Sequence, residues 1–443
     1  MGYSITQLRE EYAEGSLTPT DAVEACFRNI EELDPQVRAW QSLYQSAALL
    51  AAQDSTQRLH SGASLGPFDG VPFALKDILE IEGEVTTAGC AEWIERRSTT
   101  TAEVAKRLLR SGGILLGKTK TVEFAMGGWG TNQRMGTPHN PWDDAVQRTP
   151  GGSSSGSGAS VADFMVPLAL GSQTGGSMLR PASFCGVYGY KPTFGSISRH
   201  GVFPLVRALD HIGVYGRSLR DIAMIGDVLM IYDTNDFDMR KYPAANLVEA
   251  LSTPDESPPR LAFVKGPPWL EAEPYLDEVF ERYISGLGGI PEVILGGIFD
   301  RALDAQAIVM NANIWTNLKE YSENHEDELQ EETVRRITAG REISAADYIA
   351  ASELRSSLVA ALGALFENYD AIITASAPGE APMGLKSTGN AVFQRIWTFT
   401  GLPTISLPLM KGPNEMPIGV QIIGPKDRDD QLIKAARWIE EKS

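Results

Sequence analysis

Hydrophobic and polar positions follow two periods along this chain. Over the first sixty residues the period is helical. Ser4 and Gln7 have capping-box spacing, and "TPTDAVEACFRNIEELDP" opens with Thr18 as N-cap and Pro19 at the first helical position. Its apolar Val23, Cys26, Phe27 and Ile30 fall on one face, so this helix packs against something. The pattern then shortens. Val71 to Leu75 is a brief apolar run bounded by Gly and Asp, which predicts a buried strand. Thr100 and Glu103 are placed to cap a helix running to Arg110, and "GGILLGKT" after it reads as another strand. From Asn132 to Ala159 the density of Gly, Pro, Ser, Thr and Asn predicts loops, and long loops in compact enzymes tend to carry function.

Alternation resumes in the second half. "RLAFVK", "PEVILGG" and "DAIITASAP" read as strands, while "PYLDEVFERYISGL" and "SAADYIAASELRSSLVAALGALFENY" read as helices. Such alternation predicts an α/β fold whose central sheet is mixed, largely parallel and flanked by helices. With no internal repeat and no low-complexity linker, residues 1–443 are expected to form a single large domain. Within it, residues 1–65 form an N-terminal helical segment, 66–215 hold the candidate chemistry, and 216–443 complete the sheet and the substrate pocket. The acidic stretch "KEYSENHEDELQEETVRR" reads as a solvated helical face, with a partner surface as the second reading.

Composition narrows the function classes. The formal net charge of −18 over 443 residues argues against direct binding to nucleic acid or to an anionic membrane surface. Cys26, Cys90 and Cys185 are scattered and odd in number, with no metal spacing and no disulfide framework, which fits a reducing cytoplasm. The N-terminal stretch lacks the apolar core of a signal peptide, and no long apolar run is read as a membrane span. Met-Gly at the start resembles a myristoylation site, but no second anchoring signal accompanies it.

The candidate chemistry begins with "GSQTGGSMLRPASFCG", Gly171 to Gly186. Consecutive glycines let backbone N–H groups converge on one point, and a Ser directly after such a nest can attack a carbonyl while the nest holds the oxyanion. The plain alternative is a Gly-rich turn with a surface Ser. A hydrolytic Ser needs a base, yet none of the five histidines, His60, His139, His200, His211 and His325, lies in a recognisable triad signature. A buried Lys is the other option, because burial disfavours the ammonium form. Lys76, directly after the strand "VPFAL", suits that role, unless it merely pairs with Asp77. "RTPGGSSSGSGAS", Arg148 to Ser160, is a third polar, Gly-rich element that does not separate domains. "GGILLGKT" also matches the phosphate-loop pattern, but that mechanism needs a strand before the glycines and a helix after the Lys. Here a helix precedes and the apolar "ILL" is itself the strand.

Taken together these segments resemble the amidase signature family. "LGPFDGVPFALKD", "RSGGILLGKTKTVEFAMGG", "RTPGGSSSGS" and "LALGSQTGGSMLRPASFCGVYGYKPTFGSISRHGVFP" are similar to its signature segments, in order. "GNAVFQRIWTFTGLPTISLPL" and "PIGVQIIGP" are similar to its closing strands. The resemblance covers nearly the whole chain, strongest from Gly66 to Pro204 and weakest from about Asp233 to Tyr369. It implies a Ser-Ser-Lys triad: Ser177 as nucleophile, Ser153 as the bridging Ser held by a cis peptide bond, and Lys76 as base. It also implies an oxyanion hole from Thr174, Gly175 and Gly176 with Ser177, an acyl-enzyme, and neither metal nor cofactor. Many members carry Asp at the position of Gln173. The malonamidase-like members resemble this chain in having Gln there and Arg three residues past the nucleophile, as Arg180 lies here. In them the Arg grips a substrate carboxylate; the other reading is that Arg180 holds a neighbouring loop. Met126, Gly127, Trp129 and Gln173 complete the expected substrate-binding set, with Trp129 either an aromatic wall or core.

The leading expectation is a small-molecule amidase acting on a carboxylate-bearing amide, malonamate-like or carboxylated-urea-like, with a homodimer possible. The alternatives are an aryl or alkyl amidase with an apolar pocket, and the glutaminase-type A-subunit of a tRNA-dependent amidotransferase, which needs partner subunits. A second half without an obvious extended insertion is read as counting against the last.

Overall fold

The computed structural model describes residues 2–127, 132–143, 145–241, 246–254 and 257–443. Eleven strands among them form one sheet. In chain order they are β1 (Trp40–Leu43), β2 (Pro72–Lys76), β3 (Ile114–Thr119), β4 (Leu168–Gln173), β5 (Tyr188–Lys191), β6 (His211–Gly216), β7 (Leu261–Lys265), β8 (Glu292–Ile294), β9 (Ala371–Ala375), β10 (Thr404–Lys411) and β11 (Pro417–Ile423). Across the sheet the order is β1-β3-β2-β4-β6-β5-β10-β11-β9-β7-β8.

The expected parallel pairing is confined to two wings. β2 pairs in parallel with both β3 and β4, and β7 with both β8 and β9. The centre, from β4 through β6, β5, β10 and β11 to β9, is antiparallel throughout. The sheet is therefore mixed but not largely parallel. β10 and β11 are joined by a short turn, a connection that forces antiparallel neighbours. The closing strands also return to the middle beside β5, so the sheet runs through both halves of the chain and makes one domain.

The helices that cover the sheet arise as their sequences dictate. Ser4 and Thr18 cap their helices with full capping boxes, the second completed by Asp21. Val23, Phe27 and Ile30 are buried in one cluster with Ala74, Leu116 and Ala169 of the sheet. Thr100 does not cap the next helix, Glu103–Arg110. Its N-cap is Ala102, without a side-chain bond, and Glu103 N–H donates instead to the His200 carbonyl at 3.0 Å. "GGILLGKT" is β3 itself. Gly117 is required there because a Cβ would lie 2.1 Å from the Ser42 carbonyl oxygen of β1, which disposes of a phosphate loop.

The predicted loop from Asn132 ends early. Ser155–Ala162 is a helix, buried over nearly its whole length. Its Gly156 would place a Cβ 2.2 Å from the Ala39 carbonyl oxygen, and Gly158 lies against Pro181. The small residues that read as loop are thus selected for close packing of a helix. Helix Ala345–Phe366 is long and apolar enough, by length and composition alone, to cross a membrane, yet it packs on the main core. Leu358 and Leu362 are buried in the main core, and Arg355 donates to the Ala208 carbonyl at 3.2 Å.

Candidate active site

Lys76 is the last residue of β2, with parallel strands on either side, so its stem starts in the middle of the sheet. It has no exposed surface. Its Nζ donates to Ser153 Oγ and to Ser172 Oγ, both at 2.8 Å. Burial pushes its pKa down to about 7, against a smaller opposing pull from the Asp210 charge. Asp77 does not pair with Lys76. It faces Lys118 at 3.5 Å and accepts from the hydroxyl and N–H of Thr87.

Ser153 follows a cis peptide bond from Gly152, as the resemblance implied. It sits just before the helix Ser155–Ala162. Ser154 Oγ donates to the Ser172 carbonyl and accepts from the Ser172 N–H, both at 3.2 Å, which fastens this turn to the end of β4. Gly127 must be glycine here, since a Cβ would lie 2.8 Å from the Ser153 nitrogen.

The nest leaves the end of β4. Thr398 Oγ1 donates to the Gly175 carbonyl at 2.7 Å, and the Arg180 N–H donates to the Gly176 carbonyl at 3.1 Å. In a trans peptide the next N–H points opposite its carbonyl, so the N–H groups of Gly176 and Ser177 face away from these partners. Thr174, Gly175, Gly176 and Ser177 line a cavity of about 550 Å³, together with Met126, Gly127 and Arg180. Ser154 Oγ lies 3.9 Å from Met178 Sδ, so the Ser153 and Ser177 segments run side by side.

Two expected substrate contacts change character. Gln173 is fully buried and is not among the residues lining the cavity. Its Oε1 accepts from the N–H groups of Met178 (2.8 Å) and Leu179 (3.1 Å), and its Nε2 donates to Thr398 Oγ1 (2.9 Å). It therefore braces the Ser177 turn at the start of helix Leu179–Cys185, with its amide engaged by the protein itself. Arg180 lines the cavity, but Nη1 donates to the Gly389 carbonyl (2.6 Å), and Nη2 to the Gly152 carbonyl and Thr388 Oγ1 (3.1 Å). The structure thus favours the loop-holding reading, with only Nε left unpartnered. Burial, and secondarily Arg336, lower the Arg180 pKa to about 9. Trp129 lies outside the described residues.

Sequence reasoning missed the cavity's other cations. Arg335, Arg336 and Arg395 also line it, against one acidic residue, Glu271. Arg336 comes from the acidic stretch, which is more than a solvated face. Gln330 N–H donates to Glu123 Oε2 (3.1 Å), Arg134 donates to the Asp327 carbonyl (2.9 Å), and Arg336 donates to the Gly127 carbonyl (3.1 Å). The stretch is a strap across the cavity's edge. Ser172, in the quoted nest sequence, was legible as a hydroxyl near the site but not as the second partner of Lys76.

The comparisons with known proteins place nearly the whole chain in a family. The family model "Amidase" matches residues 21–433. This chain belongs to the amidase signature family. Members work through a Ser-cisSer-Lys triad, and the chain is accordingly a hydrolase acting on amide C–N bonds. It is 31% identical, over 99% of its length and 95% of the relative's, to the glutamyl-tRNA(Gln) amidotransferase A-subunit of Chlamydia pneumoniae. The A-subunit of Agathobacter rectalis is also 31% identical, over 99% and 94%. Among solved structures, a chain of an inhibitor-bound vestigial protein complex, described as revealing the evolutionary origins of an s-triazine catabolic enzyme, superposes with a TM-score of 0.92 at 27% identity, covering 99% and 98% of the chains. A bacterial aryl acylamidase shares the fold, with a TM-score of 0.87 at 20% identity over 100% and 96%.

Proposed function

We propose that this amidase hydrolyses small carboxylate-bearing amides through an acyl-enzyme on Ser177. The observation that carries the mechanism is the fully buried Lys76, bonded to Ser153 at 2.8 Å, with Ser153 packed directly behind Gly127, which lines the cavity together with Ser177. Neutral Lys76 takes the Ser153 proton, Ser153 takes that of Ser177, and Ser177 Oγ attacks the amide carbon. The N–H groups of the Thr174–Ser177 nest hold the oxyanion. The relay then returns the proton to the leaving nitrogen as the C–N bond breaks. Water loses its proton through the same relay and cleaves the ester, releasing an acid.

The substrate class rests on charge. Four arginines and one glutamate line the cavity, and burial depresses the pKa of Arg180, Arg336 and Arg395. An anion there relieves the mutual repulsion of these cations. Both Nη groups of Arg180 are engaged. Arg336 is held through Nε by Glu332 and through Nη1 by the Gly127 carbonyl, and Arg395 through Nε by Gln306 and through Nη2 by the Leu303 carbonyl. Each of these two keeps one Nη outside these bonds, which makes them the candidates to meet a carboxylate, and Arg180 contributes field. The test is kcat/KM for malonamate against propionamide. Arg336→Ala is expected to lower it at least about tenfold for malonamate and little for propionamide, a loss typical of a charge-assisted pair in a dry pocket. Equal losses on both amides contradict the assignment and favour a neutral-amide amidase.

A second reading, the A-subunit of an amidotransferase, is favoured by the two bacterial relatives. Their match spans nearly their full length, so chain length does not argue against it. Ammonia release from an amide panel by the purified chain alone separates the two, because the amidotransferase reading requires partners for activity.

A further inference from the structure

We propose that Asp210 is a positioning residue for both ends of the site: its carboxylate ties down Thr174 at the head of the oxyanion nest and supplies the negative charge that faces Lys76. This rests on Ser177 as nucleophile and Lys76 as base. Thr174 Oγ1 donates to Asp210 Oδ1 at 2.6 Å. The other carboxylate oxygen accepts from the N–H groups of Leu205 (3.0 Å) and Val206 (2.8 Å), so Asp210 is clamped from the loop side while it clamps the nest.

Asp210 also lines a second cavity of about 240 Å³, which shares Ala125, Thr174 and Leu205 with the substrate cavity and reaches Ser172, a partner of Lys76. The groups around the pair are few. Lys76 meets the Ser153 and Ser172 hydroxyls and the field of Asp210, while Asp77 is engaged by Lys118 and Thr87. Asp210 feels Arg199, which is paired with Asp236 and Asp238. The adjoining His211 is buried and held well below its ordinary pKa, mainly by burial, with Lys191, Arg199 and Arg355 adding to it and the Leu209 carbonyl opposing. Burial raises the Asp210 pKa, and Thr174, the two amides and Arg199 pull it back.

Position and charge are separable by experiment. The probe is phenylmethylsulfonyl fluoride, whose sulfur forms a bond to Ser177 Oγ as fluoride leaves and the Ser proton passes through Ser153 to Lys76. Its labelling rate is read by intact mass and peptide mapping across pH, which requires no knowledge of the substrate. The parent is expected to label at Ser177 with a rate that rises through about pH 7. Asp210→Asn is expected to lower the plateau about tenfold or more and to move the midpoint downward, because the charge that favoured ammonium is gone. Thr174→Val is expected to lower the plateau with the midpoint in place, and Thr174→Ser to restore it. A parent not labelled at Ser177 overturns the site reading and this proposal with it. Normal labelling of the parent, with Asp210→Asn unchanged in plateau and midpoint, overturns the proposal alone. Should Asp210→Asn fail to fold, a Thr174→Val plateau equal to the parent's overturns it.

Discussion

A lysine with no exposed surface and two serine hydroxyls for partners is held near neutrality by its surroundings, and the residue-scale predictions follow from that. Activity is expected to rise through about pH 7 as Lys76 loses its proton, and the limb should persist in single variants of each of the five histidines. Lys76→Ala and Ser177→Ala should each lower kcat by several orders of magnitude, roughly 10³-fold or more, as removal of a triad member does. Circular dichroism should show both still folded. Arg180→Lys belongs to a different class. It removes the fork that holds the Gly152 and Gly389 carbonyls, so it should lower kcat for malonamate and propionamide alike. A selective loss on malonamate would restore the carboxylate-gripping role that the sequence left open. The three proposed triad positions could be picked out in the sequence because each sits in a short motif. Arg336 and Asp210 could not, because their partners lie far off in the chain: Gly127, 209 residues from Arg336, and Thr174, 36 residues from Asp210.

At the scale of elements, close packing explains where the sequence misled. The helix Ser155–Ala162 reads as loop because Gly and Ser dominate it, yet those residues let it press against the Ala39 carbonyl and Pro181. Gly156→Ala should therefore destabilise the protein by about 1–3 kcal/mol through overpacking and shift Ser153 at the head of the helix. A urea titration and kcat together check this. The misread cap at Thr100 has a tertiary cause as well. A distant carbonyl, His200 O, satisfies the helix terminus where local sequence offered a hydroxyl. The acidic stretch looked solvated because its charges dominate it, and only its contacts with Glu123, Gly127 and Arg134 reveal a strap.

For the whole molecule, alternation of strands and helices was enough to give the α/β class, but not the strand directions, which depend on how the closing hairpin re-enters beside β5. Two buried lysines set a pH signature on the fold. Lys76 and Lys191 both have pKa values pushed down to about 7 by burial. Between about pH 7 and their unfolded value near 10.4, the unfolded chain binds these protons and the folded one does not, so stability rises with pH. Above about pH 9 the raised pKa values of Cys26 and Cys185 act the other way, because the unfolded thiols then ionise first. The free energy of unfolding should thus climb from pH 7 to 9, and Lys76→Met should flatten that slope while abolishing activity. An unaltered slope in Lys76→Met would place the lysine's charge state elsewhere.

Ammonia release from malonamate by the purified chain alone, followed from about pH 5.5 to 9.5, tests the central claim most directly. Expected is turnover without any partner, rising in a single step through about pH 7 and absent in Ser177→Ala and Lys76→Ala. Activity that survives in Ser177→Ala, or a limb that vanishes when any one histidine is replaced, would contradict a Ser177 acyl-enzyme driven by Lys76.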